Sequence, residues 1–454
     1  MLKSYQARFI PLFRRSIKES HSIWKLAVPV MIGQVGHMLF AFADNLMVGR
    51  LGPENLGAAS IANSIFFVVM LLGMGLSFAL TPIASAAVGS GKSETSVEVL
   101  RQGLIIGIPF TVLTAGFLYL FSDYVSLLGQ PPEVTKLTGS YLKILAYSAF
   151  PFMIFQIYRQ YIEGLGFTRP GMTIIWIALG INVVANYVLI FGHFGFPMLG
   201  LDGAGWATFI ARCAMMIMII AFYDVAKRFK NNSPLFSSFR PNLTIIRNII
   251  KVGIPSGFQY IFEGGAFLFG AIMVGWLGTI PLAAHQIALN LASMTYLAAT
   301  GISTAAAIRI GFFYGQHDHE QIRFIGFQCS ILVALFMMGA GILFIIFSPW
   351  LPYLYIDNQP VIQIAVWLII IAAFFQISDG VQAVGLGILR GVQDTKIPTL
   401  ITFAAYWLFG IPIGYVLAFW LEWNAFGIWI GFLLGLSASA FLLLSRFNVI
   451  SKTC

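Results

Sequence analysis

The stretch MVGRLGPENLGAASIA (Met47–Ala62) has a counterpart 226 residues later, MVGWLGTIPLAAHQIA (Met273–Ala288). The same offset pairs Pro29 with Pro255, Gly75 with Gly301 and Gly89 with Gly315, with no gap between the paired stretches. Leu and Ala would often match by chance in so apolar a chain, but these prolines, glycines and MVG triplets would not. The sequence is therefore interpreted as two copies of one half. In membrane transporters, such duplications place the binding site between the halves.

The composition is that of a membrane protein. Hydrophobic residues make up 59% of the chain and charged residues 9%, whereas roughly a quarter of a soluble domain is charged. Uncharged runs such as 103–121 and 325–347 are long enough to cross about 30 Å of hydrocarbon as helices. The alternation expected of a β-barrel is absent. The predicted fold class is an all-α integral membrane protein.

Hydropathy predicts twelve transmembrane helices, six in each copy. The predicted domains are a cytoplasmic segment 1–21, an N-lobe 22–225, a linker 226–242, a C-lobe 243–446 and a tail 447–454. The predicted spans are 22–49, 55–85, 97–121, 136–162, 171–193, 199–225, 243–276, 282–309, 322–347, 361–389, 397–420 and 425–446.

Basic residues predict the orientation in the membrane. Nearly all Lys and Arg outside the spans fall on one side, and only Arg50 and Lys136 fall on the other. By the positive-inside rule, both termini are expected in the cytoplasm, with the protein in the bacterial inner (plasma) membrane. The net charge of +9 then reflects loops that face anionic lipid, not nucleic-acid binding.

Enzymatic chemistry has no support in the sequence. The three cysteines are too few and too scattered for a disulfide framework or a metal site. HExxH, P-loop and nucleophile-elbow motifs are absent, so neither hydrolysis nor ATP-driven transport is indicated. We therefore predict that the chain is not an enzyme and needs no cofactor.

Most acidic residues lie in loops or at helix ends, but Asp44, Glu263 and Asp379 lie within predicted spans, away from the ends. A charged side chain at the bilayer centre costs about 2.5–3.5 kcal/mol on insertion scales, so it persists where it faces a cavity or a partner. Such a carboxyl group can exchange a proton or hold Na⁺, and the sequence does not decide between the two ions. Either property suits an ion-coupled carrier.

Several motifs resemble the multidrug and toxic compound extrusion (MATE) family over essentially the whole chain. They are FADNLMVGRLG (42–52), MVGWLG (273–278), GLDGAGWATFIAR (200–212), EGLGFTRP (163–170) and RGVQDTKIP (390–398). Glu263 and Asp379 make the chain similar to the NorM-like branch. The resemblance implies two six-helix lobes in an outward-opening V, and export of small cationic drugs in exchange for Na⁺ or H⁺. We expect a monomer in contact with membrane lipid.

The resemblance also assigns candidate residues by position. Glu263 and Asp379 match the C-lobe acids of cation coupling, with Na⁺ as one possible ligand of the pair, and Asp44 matches the acid of the first helix. Asn182 and Asn186 match a polar pair that accompanies this acid. They lie at i and i+4, on one helical face. Hydrogen bonding between helices explains the two amides as well as ion binding does.

Four further residues are candidates for lining the cavity. His37 occupies the position equivalent to Glu263 in the repeat, and Gln34, Gln259 and Tyr260 lie on the same pair of helices.

Two other functions stay open. A lipid-linked saccharide flippase would share the repeat but would need several Arg or Lys for pyrophosphate, and a channel would conduct without coupled flux.

Overall fold

The structure is a computed structural model that describes residues 2–226 and 240–452. Within these ranges, twelve helices are long and apolar enough to cross a membrane, which confirms the predicted fold class. Most of the predicted linker 226–242 lies outside the described residues. The helices are α1 (Leu2–Gly49), α2 (Pro53–Gly89), α3 (Ser93–Phe121), α4 (Pro132–Gly164), α5 (Arg169–Phe191), α6 (Leu201–Val225), α7 (Leu243–Gly275), α8 (Thr279–Gly315), α9 (His319–Phe347), α10 (Gln359–Gly391), α11 (Lys396–Trp420) and α12 (Asn424–Ile450).

Helix α1 begins far ahead of its predicted membrane span. It runs through the predicted N-terminal segment, from Leu2. Two contacts hold this part of α1 in place. Arg309 on α8 donates to both carboxylate oxygens of Glu19, at 2.9 and 2.7 Å, and Gln328 on α9 donates to Ser20 at 2.8 Å. These long-range contacts tie the residues just ahead of the predicted span to α8 and α9.

The chain forms two compact units whose bounds differ from the predicted lobes. The first unit is Ile32–Gly257, and the second comprises the chain up to Met31 together with the part from Phe258 onward. The start of α1 therefore belongs with α8–α12, and the start of α7 belongs with α2–α6. We call these the N-unit (32–257) and the C-unit (up to 31, and from 258).

Two glycines at equivalent positions of the repeat, Gly75 and Gly301, lie against the first parts of α7 and α1. In the N-unit, a Cβ atom at Gly75 would lie 2.7 Å from the carbonyl oxygen of Gly253 on α7. In the C-unit, a Cβ atom at Gly301 would lie 3.0 Å from the carbonyl oxygen of Ala27 on α1. Small residues let helix backbones approach closely in membranes. The equivalent position in each copy therefore accommodates the first helix of the other copy.

Helix α11 departs from regular α-helix. It contains π-helical stretches at Ala404–Gly410 and Val416–Trp420, which the hydropathy pattern does not predict. Pro412 lies between them and has no N–H to bond the carbonyl four residues earlier, at Leu408. Stretches of π-helix are rare and often occur at functional sites.

Candidate functional site

The C-unit encloses two of the three acids. Glu263 on α7 and Asp379 on α10 are 6% and 4% exposed, and Asp379 is within electrostatic range of Glu263. The hydroxyl of Tyr296 on α8 donates to Oε1 of Glu263 at 3.0 Å. The other carboxylate oxygen, Oε2, is buried without a hydrogen-bond partner among the described residues. Three helices thus converge on a carboxyl group with one unused oxygen.

Two glutamines flank Asp379 at i−3 and i+3, and both are fully buried. Thr295 on α8 donates to Oε1 of Gln376 at 2.7 Å, and Tyr406 on α11 donates to Oε1 of Gln382 at 2.8 Å. The Nε2 atoms of both amides are buried and lack partners within the described ranges. Since residues three apart share a helical face, this face of α10 is polar along two turns.

The π-helical stretch of α11 contacts both acid-bearing helices through consecutive residues. Tyr406 bonds Gln382, as described above, and the indole N–H of Trp407 donates to the carbonyl oxygen of Phe262 at 3.0 Å. Phe262 precedes Glu263 in the chain. Sequence reasoning missed this pair, because aromatic residues are common in apolar spans and the π-helix has no clear hydropathy signal.

The two cavity candidates on α7 differ in their surroundings. Gln259 lies one turn before Glu263 and is 2% exposed. Tyr260 is half-buried, and the guanidinium of Arg390 lies 5.7 Å from the centre of its ring. Gln259 is thus placed beside the buried acid, whereas Tyr260 packs against a cation of α10.

The N-unit holds the third acid among hydrogen-bond donors from two other helices. Asp44 on α1 is 8% exposed. Asn186 on α5 donates to one carboxylate oxygen, and Thr208 on α6 donates to the other at 3.3 Å. Asn186 also donates to Oδ1 of Asn182 at 3.1 Å. The structure brings Asp44, Asn182 and Asn186 together, and both oxygens of the acid have donors.

Arg212 adds a positive charge to this unit. Its Nη1 donates to the hydroxyl of Ser148 at 2.6 Å, and its guanidinium lies 4.5 Å from the ring centre of Phe66 and 5.0 Å from that of Phe152. Asp44 is within electrostatic range of this arginine. By the offset of 227 that aligns Gly164 with Gly391, Phe152 corresponds to Asp379, so an aromatic surface for a cation replaces a carboxylate there.

His37 belongs to a buried ion-pair cluster. Arg159 on α4 donates from Nε to Oε1 of Glu163 at 2.7 Å, and its Nη1 lies 3.1 Å from Nε2 of His37. Both members of the ion pair have side chains that are 4% exposed or less. Gln34, one turn earlier on α1, is half-buried. His37 is therefore tied to α4 by an arginine that the sequence analysis did not single out.

The duplicated scaffold carries different groups at equivalent positions. At the 226-residue offset, Gly270 of α7 corresponds to Asp44. A Cβ atom at Gly270 would overlap the ring of Phe432 on α12, so packing excludes a side chain there. Likewise Glu263 corresponds to His37, whose ring nitrogen Nε2 lies 3.1 Å from Nη1 of Arg159.

Within residues 2–226 and 240–452, no three His, Cys, Asp or Glu side chains are grouped as a metal-ligand set. A hard cation at Glu263 and Asp379 would therefore need other oxygens, which are the ligand type that such cations prefer. The hydroxyl of Tyr296 is one such oxygen already in contact with Glu263.

Comparison with known proteins identifies the family. The sequence model of the MatE family matches residues 29–188 and 255–416, one match in each copy of the repeat. The chain belongs to the MATE family.

Named relatives support the resemblance to the NorM-like branch. The multidrug resistance protein NorM of Photobacterium profundum is 33% identical over 435 residues, which cover 94% of this chain and 95% of the relative. A probable multidrug resistance protein NorM of Idiomarina loihiensis is 34% identical over 440 residues, covering 96% and 95%. The relatives bear the names of resistance proteins and not of enzymes, in agreement with the prediction.

Solved structures share the fold. A MOP superfamily transporter from Pyrococcus furiosus has a TM-score of 0.88 at 20% identity, covering 96% of each chain. The eukaryotic MATE transporter AtDTX14 has a TM-score of 0.84 at 21% identity, covering 97% of this chain and 96% of that one. The predicted multi-pass membrane architecture is thereby confirmed. The predicted roles of individual residues stay predictions.

Proposed function

We propose that this chain is a secondary active exporter of cationic, amphipathic compounds, coupled to inward movement of Na⁺ or H⁺ by alternating access. The observation that carries the proposal is the buried carboxyl group of Glu263, which has one oxygen bonded to Tyr296 and one without a partner in the described residues. The names of the NorM relatives support multidrug efflux as the process. The bacterial inner membrane, with both termini cytoplasmic, is the proposed location.

The C-unit acids are the proposed coupling site. A buried charge without compensation is costly, so Glu263 and Asp379 favour a bound cation, either a proton or Na⁺. Polar groups of Tyr296, Gln376 and Gln382 surround them on α8 and α10. Inward movement of one positive charge releases about 2.3 kcal/mol of free energy per 100 mV of membrane potential, which can help to drive export.

Asp44 is proposed to act in a supporting role. Asn186 and Thr208 already donate to its two oxygens, and Arg212 lies within electrostatic range. A cation that bound there would compete with an internal positive charge. Its negative charge still favours cationic over anionic substrates in the N-unit.

The flippase alternative lacks a supporting observation. It needs arginines available to pyrophosphate, whereas Arg159 is paired with Glu163 and Arg212 bonds Ser148 between two aromatic rings. Because both guanidinium groups are engaged by these contacts, they favour a cationic over an anionic substrate.

The test is gradient-driven transport in liposomes that contain the purified protein. A fluorescent cation is followed while Na⁺ and pH gradients are imposed separately, with Glu263→Gln, Asp379→Asn and the control Asp357→Asn. Asp357 lies exposed ahead of α10, so its replacement removes the same charge away from the site. We expect at least a tenfold loss of coupled flux in the first two variants and wild-type flux in the third. Wild-type rates with unchanged ion dependence in both site variants would refute the coupling site.

A further inference from the structure

A cleft of about 390 Å³ lies in the C-unit between the start of α1 and the start of α9. Its lining comprises Arg15 on α1 and, on α9, the polar side chains of Arg323, Glu320 and Gln328 and the apolar side chains of Phe324, Phe327 and Ile331. The cleft therefore carries two positive charges and one negative charge beside three apolar side chains. Its two arginines take no part in the acid sites described above.

Both guanidinium groups are positioned by aromatic rings. That of Arg15 lies 4.5 Å from the ring centre of Phe324, and that of Arg323 lies 5.9 Å from the ring centre of Phe327. Arg15 also pairs with Glu320 at 2.7 Å, and Arg323 donates to Asn448 at 3.2 Å. A guanidinium has five N–H donors, so one such contact leaves donors for an anion. The side chain of Glu320 is 80% exposed, at the rim.

The apolar part of the cleft extends along a transmembrane helix. Phe327 and Ile331 follow Arg323 by four and eight residues and are 36% and 55% exposed. At about 1.5 Å of rise per residue, these side chains lie roughly 6 and 12 Å farther along the helix axis. Arg323 thus sits in the first turns of α9, with Arg15 of α1 in the same cleft, and the exposed apolar strip runs toward the apolar middle of α9.

We propose that this cleft binds an anionic phospholipid. The headgroup phosphate bridges Arg15 and Arg323, and one acyl chain lies along Phe327 and Ile331. Charge complementarity selects an anionic headgroup, and the continuous apolar strip selects a lipid over a free phosphate. Basic pockets between transmembrane helices at the cytoplasmic side are suited to such headgroups.

The bound lipid would strengthen the attachment of the first part of α1 to α9 within the C-unit. Arg15 belongs to the same helical segment as Ser16 and Glu19, and this segment is joined to α8 and α9 by hydrogen bonds to Arg309 and Gln328. A phosphate held by arginines from α1 and α9 adds a further link between these helices. Anionic lipid is therefore expected to raise the unfolding temperature of the protein, since a ligand of the folded state stabilises it.

The test measures lipid binding by the full chain in detergent, independently of transport. Dioctanoyl phosphatidylglycerol is titrated by native mass spectrometry and by thermal unfolding, beside dioctanoyl phosphatidylcholine, glycerol phosphate and inorganic phosphate. The variants are Arg15→Gln/Arg323→Gln and Arg323→Gln alone. The single variant leaves the Arg15–Glu320 pair intact. The matched control is Arg169→Gln/Arg247→Gln, which removes two exposed arginines from the N-unit.

We expect phosphatidylglycerol to bind in preference to phosphatidylcholine. The double variant should weaken this binding by roughly 10- to 30-fold, the single variant by less, and the control variant not at all, because each arginine near the headgroup adds to the attraction. Equal binding of both lipids, or equal affinity in wild type and double variant, overturns the proposal. Equal stabilisation by inorganic phosphate also overturns it, since it would identify an anion site without a lipid.

Discussion

Replacement of Trp407 by Phe tests whether α11 positions the acids of the C-unit. The variant removes one hydrogen bond, from the indole N–H to the carbonyl oxygen of Phe262 at 3.0 Å. The aromatic ring, which lies 5.9 Å from that of Phe269, is largely kept. Since Phe262 precedes Glu263, loss of this bond frees α7 at the position of the buried carboxyl group.

The magnitude follows from the strength of such bonds. Side-chain hydrogen bonds between membrane helices average about 0.6 kcal/mol and reach about 1.7 kcal/mol. With about 1.4 kcal/mol for each factor of ten, loss of the bond should raise the half-maximal coupling-ion concentration about threefold, and by no more than about twentyfold. The maximal rate should change less, because every side chain that carries the ion remains.

The assay is export from liposomes at a series of Na⁺ or H⁺ concentrations, with Trp276→Phe as the control. Trp276 lies at the end of α7 with 59% of its surface exposed, so its replacement should leave the ion dependence unchanged. An unaltered half-maximal concentration for Trp407→Phe, in protein of wild-type thermal stability, would refute the positioning role. So would an equal shift in the Trp276 variant.

Two further predictions concern stability. Arg159→Gln leaves the buried carboxylate of Glu163 without its partner, so the free energy of unfolding should fall by about 3–5 kcal/mol in thermal or denaturant unfolding. The added replacement Glu163→Gln should recover much of this stability. No recovery would contradict the ion-pair explanation. Gly75→Ala forces a Cβ atom to 2.7 Å from the carbonyl oxygen of Gly253 and should cost about 1–3 kcal/mol in the same measurement. Gly116→Ala is its control, because nothing lies within 4 Å of a Cβ atom there; equal effects of the two alanines would argue against close helix packing at Gly75.

Much of the fold was predictable from local features. Twelve apolar runs of sufficient length predicted the twelve helices, because a backbone in hydrocarbon must bond itself and does so most simply as a helix. The cluster of Asp44 with Asn182 and Asn186 was implied by the resemblance to the MATE family. The i, i+4 spacing places both amides on one face, and a buried acid needs donors.

Other features depended on packing partners that are distant in sequence. Glu19 and Ser20, which precede the predicted span of α1, are held by Arg309 and Gln328, some three hundred residues away along the chain. The partner of Glu163 is Arg159 of its own helix, a pairing that spacing permits but does not require. The π-helical stretch of α11 lies near Pro412. The contacts of its Tyr406 with α10 and of its Trp407 with α7 could not be predicted from the hydropathy pattern.

The sequence by itself determined that the chain is a duplicated bundle of membrane helices with acids inside, because hydropathy, charge bias and an ungapped repeat are local or periodic properties. Tertiary structure alone decided what each acid contacts. Asp44 is enclosed by donors, whereas Glu263 keeps an oxygen without a partner in the described residues. The repeat gives both halves one scaffold, but side chains from distant helices, such as Phe432 against Gly270 and Arg159 against His37, fill equivalent positions differently. Those contacts depend on three-dimensional packing, which no single segment encodes.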